Sequence, residues 1–163
     1  MKEQNQQIAS PLLRLLIDEE PDLLHEKGVP NYIGFQVLKN DIRDNLEMIL
    51  NARLHYFNPP SELTQILDSV LSYGIVDFTQ QYYSLDKNQK ELCESIRKTI
   101  TYFEPRLQAV QVAMVEPEEG HERSFKIRID GLIQVKPEPQ QAVFESRLDV
   151  IRYQFSFEQE EKS

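Results

Sequence analysis

The sequence changes from helical to strand spacing within residues 99–115, and one proline stands at the joint. Before the joint, apolar residues recur at intervals of four and three, which predicts a helix; after it they alternate with other residues, which predicts a strand. Pro105 cannot donate a hydrogen bond within a helix and disfavours the helical conformation at Glu104, so the helix must end there. The apolar positions are Leu92, Ile96, Ile100 and Phe103 before the joint, and Val110, Val112 and Met114 after it.

The joint also decides which side chains lie together. Side chains two apart in extended backbone share a side, so we expect Glu104 and Arg106 to project together, with Phe103 and Leu107 opposite. A carboxylate beside a guanidinium can pin the corner, or it can offer a fork to another protein. We favour both roles together, with contact to another protein as the larger one, because arginine is common in interface hot spots. The candidate binding or structural motif is Glu104, Pro105, Arg106 and Leu107.

A short apolar segment near the amino terminus is a second candidate for partner contact. Ser10 and Pro11 are typical of a helix start, with an N-cap hydroxyl followed by proline at the first helical position. The eight residues up to Ile17 are too few to form an isolated helix in water. The segment must therefore dock, either on its own domain or on a partner. The side chains that would dock are Leu12, Leu13, Leu15 and Leu16.

The remaining pattern predicts an α+β fold, with three main helices packed on a small, mostly antiparallel sheet. The middle helix should begin at Ser61 and end at Gly74. We expect so small a sheet to leave an edge unpaired, and such edges invite strands from other chains. The helical stripes run over 38–54, 63–71 and 92–103, and the strands over 107–115, 125–129 and 151–157. The organisation is an arm with a linker at 1–34, a main domain at 35–157 and an acidic tail at 158–163.

Composition excludes several classes of protein. The net charge is −9, and lysine and arginine form no basic cluster, which argues against nucleic-acid binding. No apolar run is long enough to cross a membrane and no secretory signal pattern is present, which favours the cytoplasm. Cys93 is the single cysteine, so an internal disulfide is impossible. The histidines, His25, His55 and His121, lack metal-ligand spacing, so we expect no metal and no other cofactor.

Several sequence segments carry a family resemblance, in order, between residues 10 and 135. They are Ser10 to Leu16; Asp41 to Asp44 with Asn51 and Arg53; Ser69, Val70, Tyr73 to Ile75, Asp77 and Phe78; and Ile96, Arg97 and Ile100 followed by Phe103 to Leu107. This set resembles the phage-baseplate lysozyme-like family, and within it the TssE branch of type VI secretion baseplate subunits. Ala52 stands where that family has threonine. Glu-Pro-Arg alone would be a weak match, whereas the ordered set is specific.

The resemblance implies a structural baseplate subunit that starts assembly of a contractile sheath. Members of this branch belong to the wedge with TssF, TssG and TssK. Their domain is similar to that of the sheath subunit, and they start the TssB–TssC sheath around the Hcp tube. The resemblance thus implies a cytoplasmic position in the baseplate, at the cytoplasmic side of the inner membrane, with no direct membrane insertion. Strand pairing between chains would supply the affinity.

Two other functions compete with this interpretation. The lysozyme-like label suggests peptidoglycan hydrolysis, which needs a protonated carboxyl group and a second carboxylate across a cleft. Arg106 favours the ionised form of Glu104, and no segment supplies a recognisable second carboxylate, so we expect no enzymatic activity. The other competitor is an anti-adaptor protein of the same fold, which binds a response regulator. The segment from Ser10 to Ile17 and the complete Glu-Pro-Arg motif argue against it.

Overall fold

The computed structural model describes residues 8–16, 22, 32–54, 62, 65–66, 69–76, 86–115, 124–149 and 151–157. The helices within these residues are α1 (Leu12–Leu16), α2 (Phe35–Asn51) and α3 (Asp86–Phe103), and Val70–Ser72 form a 3-10 turn. The strands are β1 (Ile8–Ala9), β2 (Tyr32–Ile33), β3 (Leu107–Val115), β4 (Ser124–Ile133), β5 (Gln140–Asp149) and β6 (Gln154–Phe157). We call residues 8–16, which hold β1 and α1, the strap.

The main sheet is antiparallel throughout, with its strands in the order β3-β4-β5-β6. Each strand pairs with the strand that precedes or follows it in sequence, so short connections suffice. Alternate residues of the two inner strands face the core; Ile129 of β4 lies opposite Phe144 of β5, and both are buried. The polar residues between them, such as Arg128 and Glu145, lie on the other face. The pattern is that of a sheet covered on one side only.

Both long helices bury the apolar stripes that their spacing predicts. Burying a leucine or isoleucine side chain contributes about 1.5–3 kcal/mol relative to leaving it exposed, so these stripes are a large part of the folding energy. Apart from Ile49, the buried residues of these stripes join the core-facing side chains of β3 to β6 in a single apolar cluster. The buried positions are Leu38, Ile42, Leu46, Ile49 and Leu50 on α2, and Leu92, Ile96 and Ile100 on α3.

The predicted architecture, three main helices packed on one small sheet, is wrong, although the α+β composition holds. Within the described residues the strands form two separate antiparallel sheets, one of four strands and one of two. Of the described helices only α2 and α3 are long. The third, α1, has five residues and lies in the strap rather than in the middle of the chain.

The predicted middle helix is replaced, where the structure describes it, by the 3-10 turn Val70–Ser72. Leu71, assigned to its core stripe, is 58% exposed. The Ser69 hydroxyl accepts a hydrogen bond from the Leu71 amide (3.2 Å) and donates one to the Ile66 carbonyl (2.7 Å). Local bonds of this kind compete with α-helix formation. The start of the predicted helix, with Ser61, Leu63 and Leu67, lies outside the described residues.

The sheet contains one strand, β5, that the sequence analysis missed. It pairs with β4 over ten residues, so it is central to the sheet. Its signal was weakened because a serine occupies one of the core-facing positions and a proline-rich break comes just before it. The core-facing positions are Ala142, Phe144, Ser146 and Leu148.

The last strand is shorter than the predicted 151–157. One carboxylate oxygen of Asp149 accepts hydrogen bonds from the amides of Ile151 (2.8 Å) and Arg152 (3.0 Å) and closes a turn there. These bonds, chiefly that of Arg152, hold the pKa of Asp149 below its usual value. Tyr153 follows with a positive φ of 51°, and β6 begins at the next residue.

The outer side of β6 is closed by a side chain from α2. Asn51 donates through Nδ2 to the carbonyl of Phe155 (2.9 Å), and the Phe155 amide donates to Asn51 Oδ1 (2.9 Å). These are the two bonds that a neighbouring antiparallel strand would make with this residue. The expectation of an unpaired edge therefore fails at Phe155.

Gly74 is the position where we expect a single methyl group to be most damaging. Its φ is +106°, and an added Cβ would overlap the carbonyl group of Ala52. The Ile75 amide bonds to that same carbonyl oxygen (3.0 Å), so the backbone cannot easily move away. Gly74→Ala should lower the free energy of unfolding, measured by urea titration, by about 1–3 kcal/mol or more.

Gly34→Ser is the matched control. Gly34 precedes α2 with φ −77°, makes no side-chain cap, and has nothing within 4 Å of an added Cβ. A serine there supplies the missing N-cap hydroxyl, so stability should be unchanged or raised by a few tenths of a kcal/mol. Equal stability of the Gly74→Ala protein and the parent would contradict the prediction.

Candidate functional site

The corner between α3 and β3 is built by one short turn. The Glu104 amide still donates to the Ile100 carbonyl (2.8 Å), which completes the last turn of α3. Pro105 then has no amide hydrogen, and the Leu107 amide bonds back to the Glu104 carbonyl (3.1 Å). The chain therefore reverses from helix to strand within three residues, and Leu107 enters the core as the first residue of β3.

The Glu104 carboxylate is buried at the centre of this turn, with the residue 1% exposed. Arg106 donates hydrogen bonds to both of its oxygens. Nε donates to Oε1 and Nη2 donates to Oε2, each at 2.6 Å. A bidentate, charge-assisted fork of this kind is among the stronger side-chain interactions in proteins. The two side chains lie side by side, as the alternation predicts.

Two further donors complete the shell around this carboxylate. Asn45 of α2 donates through Nδ2 to Glu104 Oε2 (2.6 Å), across 59 positions in sequence. The backbone amide of Arg106 donates to Oε1 (3.3 Å). Each oxygen thus receives two hydrogen bonds, and one side chain ties together α2, the end of α3 and the start of β3. A carboxylate with four hydrogen-bond donors around it is well compensated for its burial.

Arg106 is the part of the corner that reaches the surface. Its side chain is 35% exposed, whereas Glu104 points inward. The pKa of Arg106 is raised, first by its hydrogen bond to Glu104 and further by the charges of Glu104 and Asp41, while partial burial opposes the rise. The guanidinium therefore stays charged, and part of it remains exposed. The binding role of the motif stays a prediction.

Asn45 and Asp41 are members of the site that the sequence analysis missed. They lie four residues apart on one flank of α2, which places them one helical turn from each other. Asp41 is a polar residue outside the apolar stripe of α2, but its side chain is only 22% exposed and accepts a bond from Arg14 of the strap (3.4 Å). Their spacing was visible, but nothing in the sequence indicated which distant segment would meet them.

The strap lies on its own domain, while the leucine side chains of α1 that the structure describes are exposed. β1 pairs with β2, and Ile8 packs against the core. Leu12 and Leu16 are 72% and 71% exposed, and Leu15 is also exposed. The side chain of Leu13 lies outside the described part of the chain. The arrangement provides apolar side chains for a partner, and docking by them stays a prediction.

In the described ranges, no group of three or more His, Cys, Asp or Glu side chains is placed to hold a metal ion. The three histidines fall outside those ranges, so the structure does not bear on them. Within the same ranges, no helix has the length and apolarity to cross a membrane.

Comparison with known proteins identifies the family. The family model described as baseplate wedge protein gp25 matches residues 36–138, which is more than half of the chain and includes α2, α3, the corner, β3 and β4. The chain belongs to the baseplate wedge protein gp25 family. The recognition made from the sequence, a TssE-type member of the phage-baseplate family, is thereby confirmed at the level of family. Membership in the gp25 family supports a structural role in a baseplate.

The other comparisons are less informative about this gp25-family chain. No curated protein matches it. One solved chain comes from a structure titled "The baseplate complex from the type VI secretion system". It is 17% identical, with a TM-score of 0.48, and the match covers 77% of this chain and 97% of that chain.

Arg106→Ala tests how far the corner depends on the fork. Removing the guanidinium leaves the buried Glu104 carboxylate with only two donors, those of Asn45 and the backbone. We expect the free energy of unfolding to fall by about 1–3 kcal/mol. The measurement is urea unfolding followed by circular dichroism.

Arg128→Ala provides the control, because Arg128 makes the same kind of fork on the exposed face of β4. Its Nε and Nη2 donate to the two oxygens of Asp130 at 3.0 and 3.1 Å. An exposed pair contributes less than a buried one, so the loss in the free energy of unfolding should be smaller than for Arg106→Ala. If the free energy of unfolding fell by the same amount in the two variants, burial of Glu104 would not strengthen its interaction with Arg106.

Proposed function

We propose that this chain is a structural baseplate wedge subunit of a type VI secretion system, of the TssE kind, which starts assembly of the contractile sheath. Its partners would be the wedge proteins TssF, TssG and TssK and the TssB–TssC sheath, with the Hcp tube nearby. It would act in the cytoplasm, in the baseplate at the cytoplasmic side of the inner membrane, without nucleic acid and without inserting into the membrane. The gp25 family match over residues 36–138 carries the proposal.

The corner supports the wedge contact in a specific way. A subunit that transmits position between neighbours needs a contact group held in one orientation. Arg106 meets that need, because two bonds to the buried Glu104 fix its guanidinium while its outer edge stays accessible. An arginine already held in place loses less conformational entropy on binding than a free one. Arg106 is therefore the residue we assign to the wedge contact.

The composition of β3 supports strand pairing with the sheath. β3 is an outer strand of the main sheet and has nine residues, none of them charged. Outer strands that must avoid other chains usually carry lysine or another charge. A bulge, with Ala109 at φ 51°, interrupts the register after Gln108, and regular pairing with β4 resumes at Gln111. At the far end, Cys93 of α3 lies beside the backbone of Met114. The stretch from Gln111 to Ala113, between the bulge and this contact, is thus the part of β3 we assign to pairing.

The opposite edge is a poorer candidate for an incoming strand. β6 has four residues, and the outward backbone groups of Phe155 already bond to Asn51. A strand that approached β6 would first have to displace this side chain and leave its amide without partners. This difference between the two edges of the sheet favours β3 as the strand that pairs with another chain.

The test of the proposal is co-purification of the tagged full chain from a strain that encodes a type VI secretion cluster. We expect wedge and sheath proteins to be recovered with it. Recovery of a response regulator instead would favour the anti-adaptor alternative. Recovery of neither would contradict the proposed function.

Gln111→Lys tests the strand assignment in the same experiment. Gln111 is exposed on β3 and lies opposite Asp130, so the fold can accept a lysine, which should hinder a strand from pairing at this edge. We expect sheath proteins to be lost several-fold and wedge proteins to be retained. Gln141→Lys is the control, since Gln141 is exposed on the inner strand β5. Equal sheath recovery by both variants would contradict the assignment to β3.

The proposal includes no enzymatic activity. A glycosidase acid must deliver a proton to its substrate, whereas the Glu104 carboxylate is buried and bonded at both oxygens by Arg106 and Asn45. Purified protein should therefore release no soluble fragments from peptidoglycan. Fragment release that Glu104→Gln abolishes would contradict this prediction.

A further inference from the structure

Two buried polar side-chain atoms in the described part of the chain have no hydrogen-bond partner, one in the strap and one on the α2 residue that the strap contacts. One is the Ser10 hydroxyl of the strap, and the other is Asp41 Oδ2 of α2. Asp41 meets the strap through its other oxygen, which accepts the bond from Arg14 at 3.4 Å. That distance is long for a charge-assisted bond. The polar contacts that hold the strap are therefore weak or incomplete.

The Ser10 result corrects the sequence prediction. Ser10 was expected to cap α1, but its buried hydroxyl bonds to no group in the described residues. Ser69 shows what a formed cap looks like in the same protein, since its hydroxyl bonds both the Leu71 amide and the Ile66 carbonyl. A buried hydroxyl without a partner destabilises the state that buries it. At Ser10, that state is the seated strap.

Elsewhere in the described residues, buried polar groups where helices and strands meet have hydrogen-bond partners. Glu104 receives four hydrogen bonds, and Asn51 satisfies both backbone groups of Phe155. Local opening in proteins starts where few contacts must be broken. The strap has a two-residue strand, a five-residue helix with exposed leucines, and one buried hydroxyl without a partner.

We propose that residues 8–16 form a releasable strap, which opens from α2 as a unit while the main sheet, α2 and α3 stay folded. Opening returns the Ser10 hydroxyl and Asp41 Oδ2 to water, which offsets part of the lost contact between β1 and β2. It also uncovers the Asp41 carboxylate, whose charge acts on Arg106. The strap thus controls the electrostatic surroundings of the exposed guanidinium at the corner.

Hydrogen exchange of the full chain, read by mass spectrometry at low urea concentrations, tests the proposal. Amides of the strap should exchange at rates that low urea hardly changes, since little surface is exposed by local opening. Amides of β4 should exchange more slowly and accelerate with urea, because they require global unfolding. If strap and β4 amides shared one urea dependence, the strap would open only with the whole domain and the proposal would be wrong.

Ser10→Ala is the most decisive variant. An N-cap role for Ser10 and a buried hydroxyl without a partner predict opposite changes in the hydrogen-exchange protection of the strap. Removing a working N-cap would lower protection of the strap. Removing a hydroxyl that is buried without a partner should raise it, and we expect protection factors about tenfold higher. Protection that falls or stays unchanged would overturn the proposal.

Two further variants complete the design. Arg14→Ala should lower strap protection about two- to fivefold, the size expected for one partly exposed ion pair, and leave β4 unchanged. Ser69→Ala, the matched serine control, should lower protection at the Leu71 amide and leave the strap unchanged. No effect of Arg14→Ala on the strap would show that the bond to Asp41 does not hold it, and would also contradict the proposal.

Discussion

The burial of one carboxylate, that of Glu104, is the constraint on which the corner depends. An unpaired charge in that position would destabilise the fold strongly, so the surroundings must supply donors. Pro105 forces the turn that brings Arg106 back onto the carboxylate, and the apolar stripe of α2 positions Asn45 beside it. Helix packing, the turn and the direction of β3 are consequently fixed by one shared set of hydrogen bonds. A change in any of these elements removes a donor from a buried charge.

This arrangement separates the work of the two charged residues. The Glu104 carboxylate is buried and bonds within the fold, whereas the Arg106 side chain bonds to Glu104 and is also partly exposed to solvent. Partner contact and internal bracing are therefore not alternatives at this residue, because the same fork that stabilises the corner orients the guanidinium. The direction of β3 is set by the same corner. A rigid corner followed by an uncharged outer strand suits a subunit that must present a strand at a defined angle.

The elements predicted correctly from the sequence are those with strong local signals. The stripes of α2 and α3 follow helical spacing, and Pro105 marks the corner by its own chemistry. β5 was missed because Ser146 interrupts its apolar alternation, and the middle helix was wrong because the hydroxyl of Ser69 favours a tight turn. Asn45 could not be foreseen, because its partner lies 59 positions away. Long-range polar pairing has no periodicity from which to predict it.

The distribution of satisfied polar groups explains why motion and binding would fall in different places. At the corner and along β6, buried donors and acceptors are paired, so opening either would break several bonds at once. At the strap, the buried Ser10 hydroxyl and Asp41 Oδ2 gain water when the segment leaves. Opening the strap is therefore the less costly change, and it alters the field around Arg106 without disturbing the fork that holds it. A fold built in this way can change what its corner presents while the corner itself stays rigid.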